Sequence, residues 1–232
     1  MAFLGVWALL FVASVAATVG WCSSMSTVWM PMPGETWPGF AASFLGMWVV
    51  MMVAMMLPSL APMLWRYREA VGRSWPTALV GGGYFLVWSL FGMAAFPLGV
   101  ALTTLAMQEP ALAHAMPIAV GVVVLIAGAY QLTAWKAREL ASCRAEPGRG
   151  RTLPADPGTA WRHGLHLGLH CIRCCAGLVA ILLVIGVMDL RVMAAVTAAI
   201  TIERLAPAAE RVARATGVVV VAAGLFLIGN AL

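Results

Sequence analysis

The chain has 232 residues, of which 62% are hydrophobic and only 10% charged, and its mean hydropathy is +0.93; soluble domains average roughly 45–50% apolar and 25% charged residues. A water-soluble enzyme is excluded. Glu35 stands alone in residues 1–65 and Glu109 in 74–135, and a bilayer selects uncharged blocks of this kind because an ion at its centre costs roughly 2.5–3.5 kcal/mol.

The net charge of +5 does not point to nucleic acid, because Lys and Arg fall at the ends of apolar blocks and form no continuous patch. No Gly-rich phosphate loop, G-x-S-x-G elbow or dinucleotide fingerprint is present, so the chain carries no ATP-driven pump of its own. With about 20 apolar residues per span, helices are expected near 3–22, 40–64, 77–105, 111–133, 166–188, 190–206 and 212–231. The fold class is therefore an all-α, polytopic transmembrane helical bundle of seven spans, with 1–232 as one domain and 134–163 as its only sizeable polar connector. The first block lacks a basic n-region and is too long for a signal core, so it reads as a retained helix.

Lys and Arg cluster in 66–73, 134–163 and 203–214, while 23–39 and 106–110 have none. The positive-inside rule makes the clustered side the cytoplasm and puts the N-terminus there. A six-span alternative fuses 176–202 into one helix, but it would carry Arg204, Arg211 and Arg214 outside. Seven spans with a tight turn at Asp189 and Arg191 agree better. Gly81, Gly82 and Gly83 suit close helix packing, and Pro58 is expected to bend or end the second span.

The second span carries Met47-Trp48-Val49-Val50-Met51-Met52-Val53-Ala54-Met55-Met56-Leu57-Pro58-Ser59. At about 100° per residue, Met47, Met51 and Met55 form one row and Trp48, Met52 and Met56 the next. Thioether sulfur is soft and neutral and suits Cu(I), although methionine also serves as flexible filler. The fifth span opens with His163, His166, His170, Cys171, Arg173, Cys174 and Cys175. Spacings of four put His166, His170 and Cys174 along one stripe, with Cys171 and Cys175 beside it. C-x-x-C-C at hydrocarbon depth points to a metal or redox chemistry, and a disulfide is disfavoured on the reducing side. Cysteine also packs as a small hydrophobe. Cys22, alone at the opposite face, reads as inert, and His114 as interfacial.

Topology brings these pieces to one depth. Met52, Met55 and Met56 lie in the cytoplasmic half of span two, Cys171, Cys174 and Cys175 in that of span five, and span six ends at Glu203. A soft-metal site of Cys171, Cys174, Cys175, Met52, Met55 and Met56 follows, with His170 as a further candidate and Glu203 as ligand or supporting group; Glu203 could instead pair with Arg173 or Arg204.

The stretches MWVVMMVAMMLPS (47–59), YQLTAWK (130–136) with Cys143-Arg144, GLHCIRCC (168–175) and Ile202-Glu203-Arg204 resemble a bacterial family of predicted metal-binding integral membrane proteins. The resemblance implies metal binding through Cys171, Cys174 and Cys175. Glu139 stands where the family usually has a cysteine, which removes a two-thiol connector site, and Arg173 stands where it usually has a glycine. The leading expectation is copper, with zinc as the alternative ion, handled, delivered or transported at the bacterial inner membrane. The partners expected are membrane lipid, the ion, and a metallochaperone or other membrane subunit. Rival readings are an oxidoreductase component using the thiols or a haem between His166 and His170, and a structural or assembly subunit.

Overall fold

The computed structural model describes residues 2–24, 36–144 and 156–232. Among them are eight helices and no strand: α1 (Ala2–Ser24), α2 (Trp37–Val71), α3 (Ser74–Gln108), α4 (Pro110–Gln131), α5 (Ala134–Arg144), α6 (Pro157–Ile185), α7 (Leu190–Leu205) and α8 (Ala209–Ala231). All but α5 and α7 are long and apolar enough to cross a membrane. Helix α7, the expected sixth span, has 16 residues, short of the roughly 20 a bilayer asks for. The tight turn before it is present: Asp189 caps α7 by accepting from the backbone N–H of Arg191 and Val192 at 2.8 and 3.2 Å. The fused 176–202 helix of the six-span alternative is therefore not formed.

Pro58 does not end the second span. Helix α2 runs through Pro58 and Pro62 to Val71; each proline removes one intrahelical N–H, yet packing on both sides keeps the helix going. It ends at Gly72, whose φ of 70° is the left-handed cap that glycine adopts without strain. The polar connector is also shorter than expected. Residues 134–144 form α5, and Asp156-Pro157-Gly158 is not a loop but the start of α6, with Asp156 accepting from Thr159 N–H at 3.0 Å and Pro157 in the first turn. Residues 145–155 of the connector, and the connection 25–35 that carries Glu35, lie outside the described residues.

Glycines set the helix approaches. Helices α3 and α6 run parallel: a Cβ on Gly83 would stand 2.8 Å from Trp161 O, one on Gly164 would strike Val80 O, and one on Gly168 would stand 3.1 Å from Tyr84 O. Helices α4 and α8 run antiparallel: a Cβ on Gly128 would stand 2.6 Å from Val221 N and one on Gly224 2.7 Å from Leu125 N. Small residues let backbones meet where lipid offers no hydrophobic drive. Trp48 of α2 lies over Gly92 of α3 and donates its indole N–H to Trp88 O at 2.9 Å. The parallel α3–α6 contact brings Tyr84 onto Cys171, and the main core joins residues of α2, α3, α4, α5, α6 and α7 around that point.

Candidate metal centre

Helix α6 turns Cys171, Cys174 and Cys175 inward, each at most 2% exposed. Their Sγ atoms all lie within 4.8 Å of one another, with Cys174 to Cys175 at 3.5 Å and Cys171 to Cys175 at 3.8 Å. A metal–sulfur bond of about 2.3 Å in a tetrahedral site gives sulfur–sulfur edges of about 3.7 Å. The spacing fits what one ion bound by three thiolates requires. Met56 Sδ of α2 lies 4.0 Å from Cys171 Sγ, and the Tyr84 hydroxyl shares a hydrogen bond with Cys171 at 2.9 Å.

A fourth thiol comes from α5. Cys143, fully buried, donates to Cys174 Sγ at 3.2 Å. That bond, followed by burial, pushes the Cys143 thiol well above its ordinary range.

Two buried cations flank the sulfurs. Lys136 Nζ donates to Glu203 Oε2 at 2.7 Å and to the carbonyl of Cys174, and Gln131 Nε2 donates to Glu203 Oε1 at 2.7 Å. Burial works to lower the pKa of Lys136, but Glu203 and the neighbouring thiols outweigh it and raise the value. Arg204 donates to Ser59 Oγ at 3.0 Å, Cys171 Sγ at 3.3 Å and Met63 Sδ at 3.4 Å. Among the described residues no carboxylate lies within ion-pair distance of it. Its surroundings suit an anion made of sulfur, because a buried cation without a counter-charge is costly. Arg144 closes the assembly by donating to the carbonyls of Glu203, Arg204 and Ala206 at 3.3, 3.0 and 2.5 Å, which satisfies the free end of α7.

A family model described as a copper chaperone, PpoB2, matches residues 45–227. The chain belongs to this family. The match spans both the methionine helix and the cysteine helix, and its description names copper. No curated protein and no solved structure matches the chain.

In this PpoB2-family chain the residues singled out in sequence separate into three groups. Cys171, Cys174, Cys175 and Met56 meet directly, and Met52 and Met55 are buried in the same core. Glu203 reaches the centre through Lys136, not through Arg173 or Arg204. His170 is turned aside: its Nδ1 lies 2.9 Å from Glu139 Oε2, and it is not among the residues close enough to share one ion with the three thiols. The hydrogen bond with His170 holds the Glu139 carboxyl below its usual range. His166 is exposed, so the two histidines do not enclose a buried haem site.

Lys136, Cys143, Tyr84 and Arg204 were missed as members of the centre. Cys143 carried a signal, since it follows YQLTAWK at the expected depth. Arg204→Gln, which keeps an unbranched stem but removes the fork and the charge, is expected to weaken Cu(I) retention about 10–100-fold. Arg204→Lys should restore it only in part, because the guanidinium geometry is lost. Competitive titration against a Cu(I) chelator checks both.

Proposed function

We propose that this protein is a single-domain integral membrane protein that binds Cu(I) through Cys171, Cys174 and Cys175, with Met56 as the nearest thioether, and hands it to a recipient. The observation that carries this reading is the buried thiol triad, all Sγ atoms within 4.8 Å, in a chain of a copper-chaperone family. Thiolate and thioether select Cu(I) over harder ions, and a chaperone needs ligands that hold the ion without committing it.

Cys143 acts as a fourth thiol that can join or leave the coordination sphere. Met52 and Met55 continue the soft lining from Met56. Glu203 acts through Lys136, which fixes the Cys174 carbonyl, and His170 holds the Glu139 side of α5 against α6. Membrane insertion is supported by the six long apolar helices and by large apolar side chains on their outer faces, such as Leu9, Leu98, Ile126 and Phe226, each more than 60% exposed. The clustered Lys and Arg residues favour an inner-membrane orientation with the thiol cluster toward the cytoplasm.

The test is elemental analysis of the protein purified without oxygen after growth with copper. At least about one copper per chain is expected, held at the thiolate-rich cluster. A folded, metal-free protein that also fails to take up Cu(I) on titration would reject the reading.

A further inference from the structure

Soft ligands do not stop at the thiol cluster. Met47, Met51, Met52, Met55 and Met56 are each at most 2% exposed and cover about 13.5 Å of the rise of α2. One end of this column is Met56, against Cys171. At the other end stands a second pair of sulfurs: Cys22 Sγ lies 3.5 Å from Met188 Sδ.

The two come from elements far apart in the chain, Cys22 from the last turns of α1 and Met188 from the turn between α6 and α7. Both pack against the core that holds the methionine column. The next residue, Trp21, rests on α2 at Gly46, where a Cβ would stand 3.6 Å from its ring. The pair therefore sits near the level of Met47. Unlike the thiol cluster it is only half buried, so an ion could reach it from outside the bundle.

A single cysteine packed between helices is ordinary. This one differs because a thioether from another element meets it at hydrogen-bond distance, at the head of a buried thioether column whose far end touches the thiols of a copper-chaperone family. A packing role alone would be served equally by leucine at both positions.

We infer that Cys22 and Met188 form a second Cu(I) site at the end of the bundle opposite the cysteine cluster, linked to it by the thioethers of α2. The inference rests on the copper-handling reading above. The ion moves as Cu(I) throughout and no electron is transferred. Cys22 loses its thiol proton as its copper–sulfur bond forms, and a thiolate of the inner cluster gains one as its own bond breaks. The methionines between them exchange as neutral ligands.

The test uses the full chain in detergent under reducing conditions, with Ag(I) as a soft monovalent probe that does not change oxidation state. Wild type should retain about two Ag(I) per chain, and both the C22S/M188L variant and the C171S/C174S/C175S variant about one. In wild type, alkylation of Cys22, followed by peptide mass spectrometry, should slow about tenfold when free Ag(I) is about ten times its Kd.

If C22S/M188L binds as much as wild type and Cys22 alkylation ignores Ag(I), the second site is overturned while the inner site stands. If the triple serine variant retains nothing, the second site is likewise overturned. If wild type binds no Ag(I), the copper-handling reading falls with it. Alkylation of wild type decides the matter alone should C22S/M188L fail to fold.

Discussion

Replacing Cys171, Cys174 and Cys175 together with serine is expected to remove about one copper ion per chain, the one held at the thiol cluster through desalting, with the protein still inserted in the membrane. The hydroxyl is too hard a ligand for Cu(I), so the loss comes from chemistry and not from collapse. Each serine can return its O–H to the carbonyl one turn earlier in α6, a bond that costs the helix little. Cys143→Ser is the graded control. Its sulfur lies 3.2 Å from Cys174 but outside the set of three that closes within 4.8 Å, so it should weaken binding about 10–100-fold without abolishing it. Metal content by elemental analysis, with membrane fractionation beside it, reads both outcomes. Unchanged copper in the triple variant would remove the assigned ligands.

The second large effect concerns stability. Lys136→Met should destabilise the protein by about 3–5 kcal/mol, because Glu203 is left as a buried, uncompensated carboxylate. Lys136 and Glu203 have side chains only 1% and 2% exposed, so water cannot take over the missing partner. The double variant Lys136→Met/Glu203→Leu should recover most of the loss, since a well-packed apolar pair often matches a buried ion pair. Unfolding in detergent, followed by circular dichroism, separates these cases. Equal stability of the single variant and wild type would show that the pair carries no load. The Cys174 carbonyl loses its donor in both variants, so a copper affinity that stays low in the double variant would assign Lys136 a part in shaping the centre as well.

Much of this arrangement was readable from residues 47–59 and 166–175. The uncharged blocks marked the long helices, and the alternating direction of successive spans brought the methionines and cysteines to one depth. The Asp189 turn followed from a polar pair between two apolar blocks. The histidines lie apart from the thiols, although the stripe was drawn through His166, His170 and Cys174. Measured from Cys171 at about 100° per residue, Cys175 lies at about +40°, Cys174 at about −60°, His170 at about −100° and His166 at about −140°. Centring the face on the thiols would have turned both histidines away. Lys136 and Arg204 were not readable in this way. Each stands at the polar edge of an apolar block, where hydropathy shows a charge but not whether it turns to water or inward. The inward turn of Lys136 depends on α5 folding back under α6, and an eleven-residue polar helix leaves little trace in composition; that of Arg204 depends on α7 meeting α2 and α6.

The depth at which the four thiols lie has a consequence for timing. Cys143, Cys171, Cys174 and Cys175 are each at most 2% exposed, with α5 and the end of α7 packed over them. A scavenger dissolved in the surrounding fluid has nothing to grip until one of those short helices lifts. On the copper-handling reading proposed above, the pace of hand-over is set by how often the bundle opens, whether by its own fluctuation or under a docking partner, and scarcely by how strongly the receiver attracts the ion. Such a latch lets cargo be held loosely in energy yet securely in time, and keeps a toxic metal from drifting free between donor and acceptor.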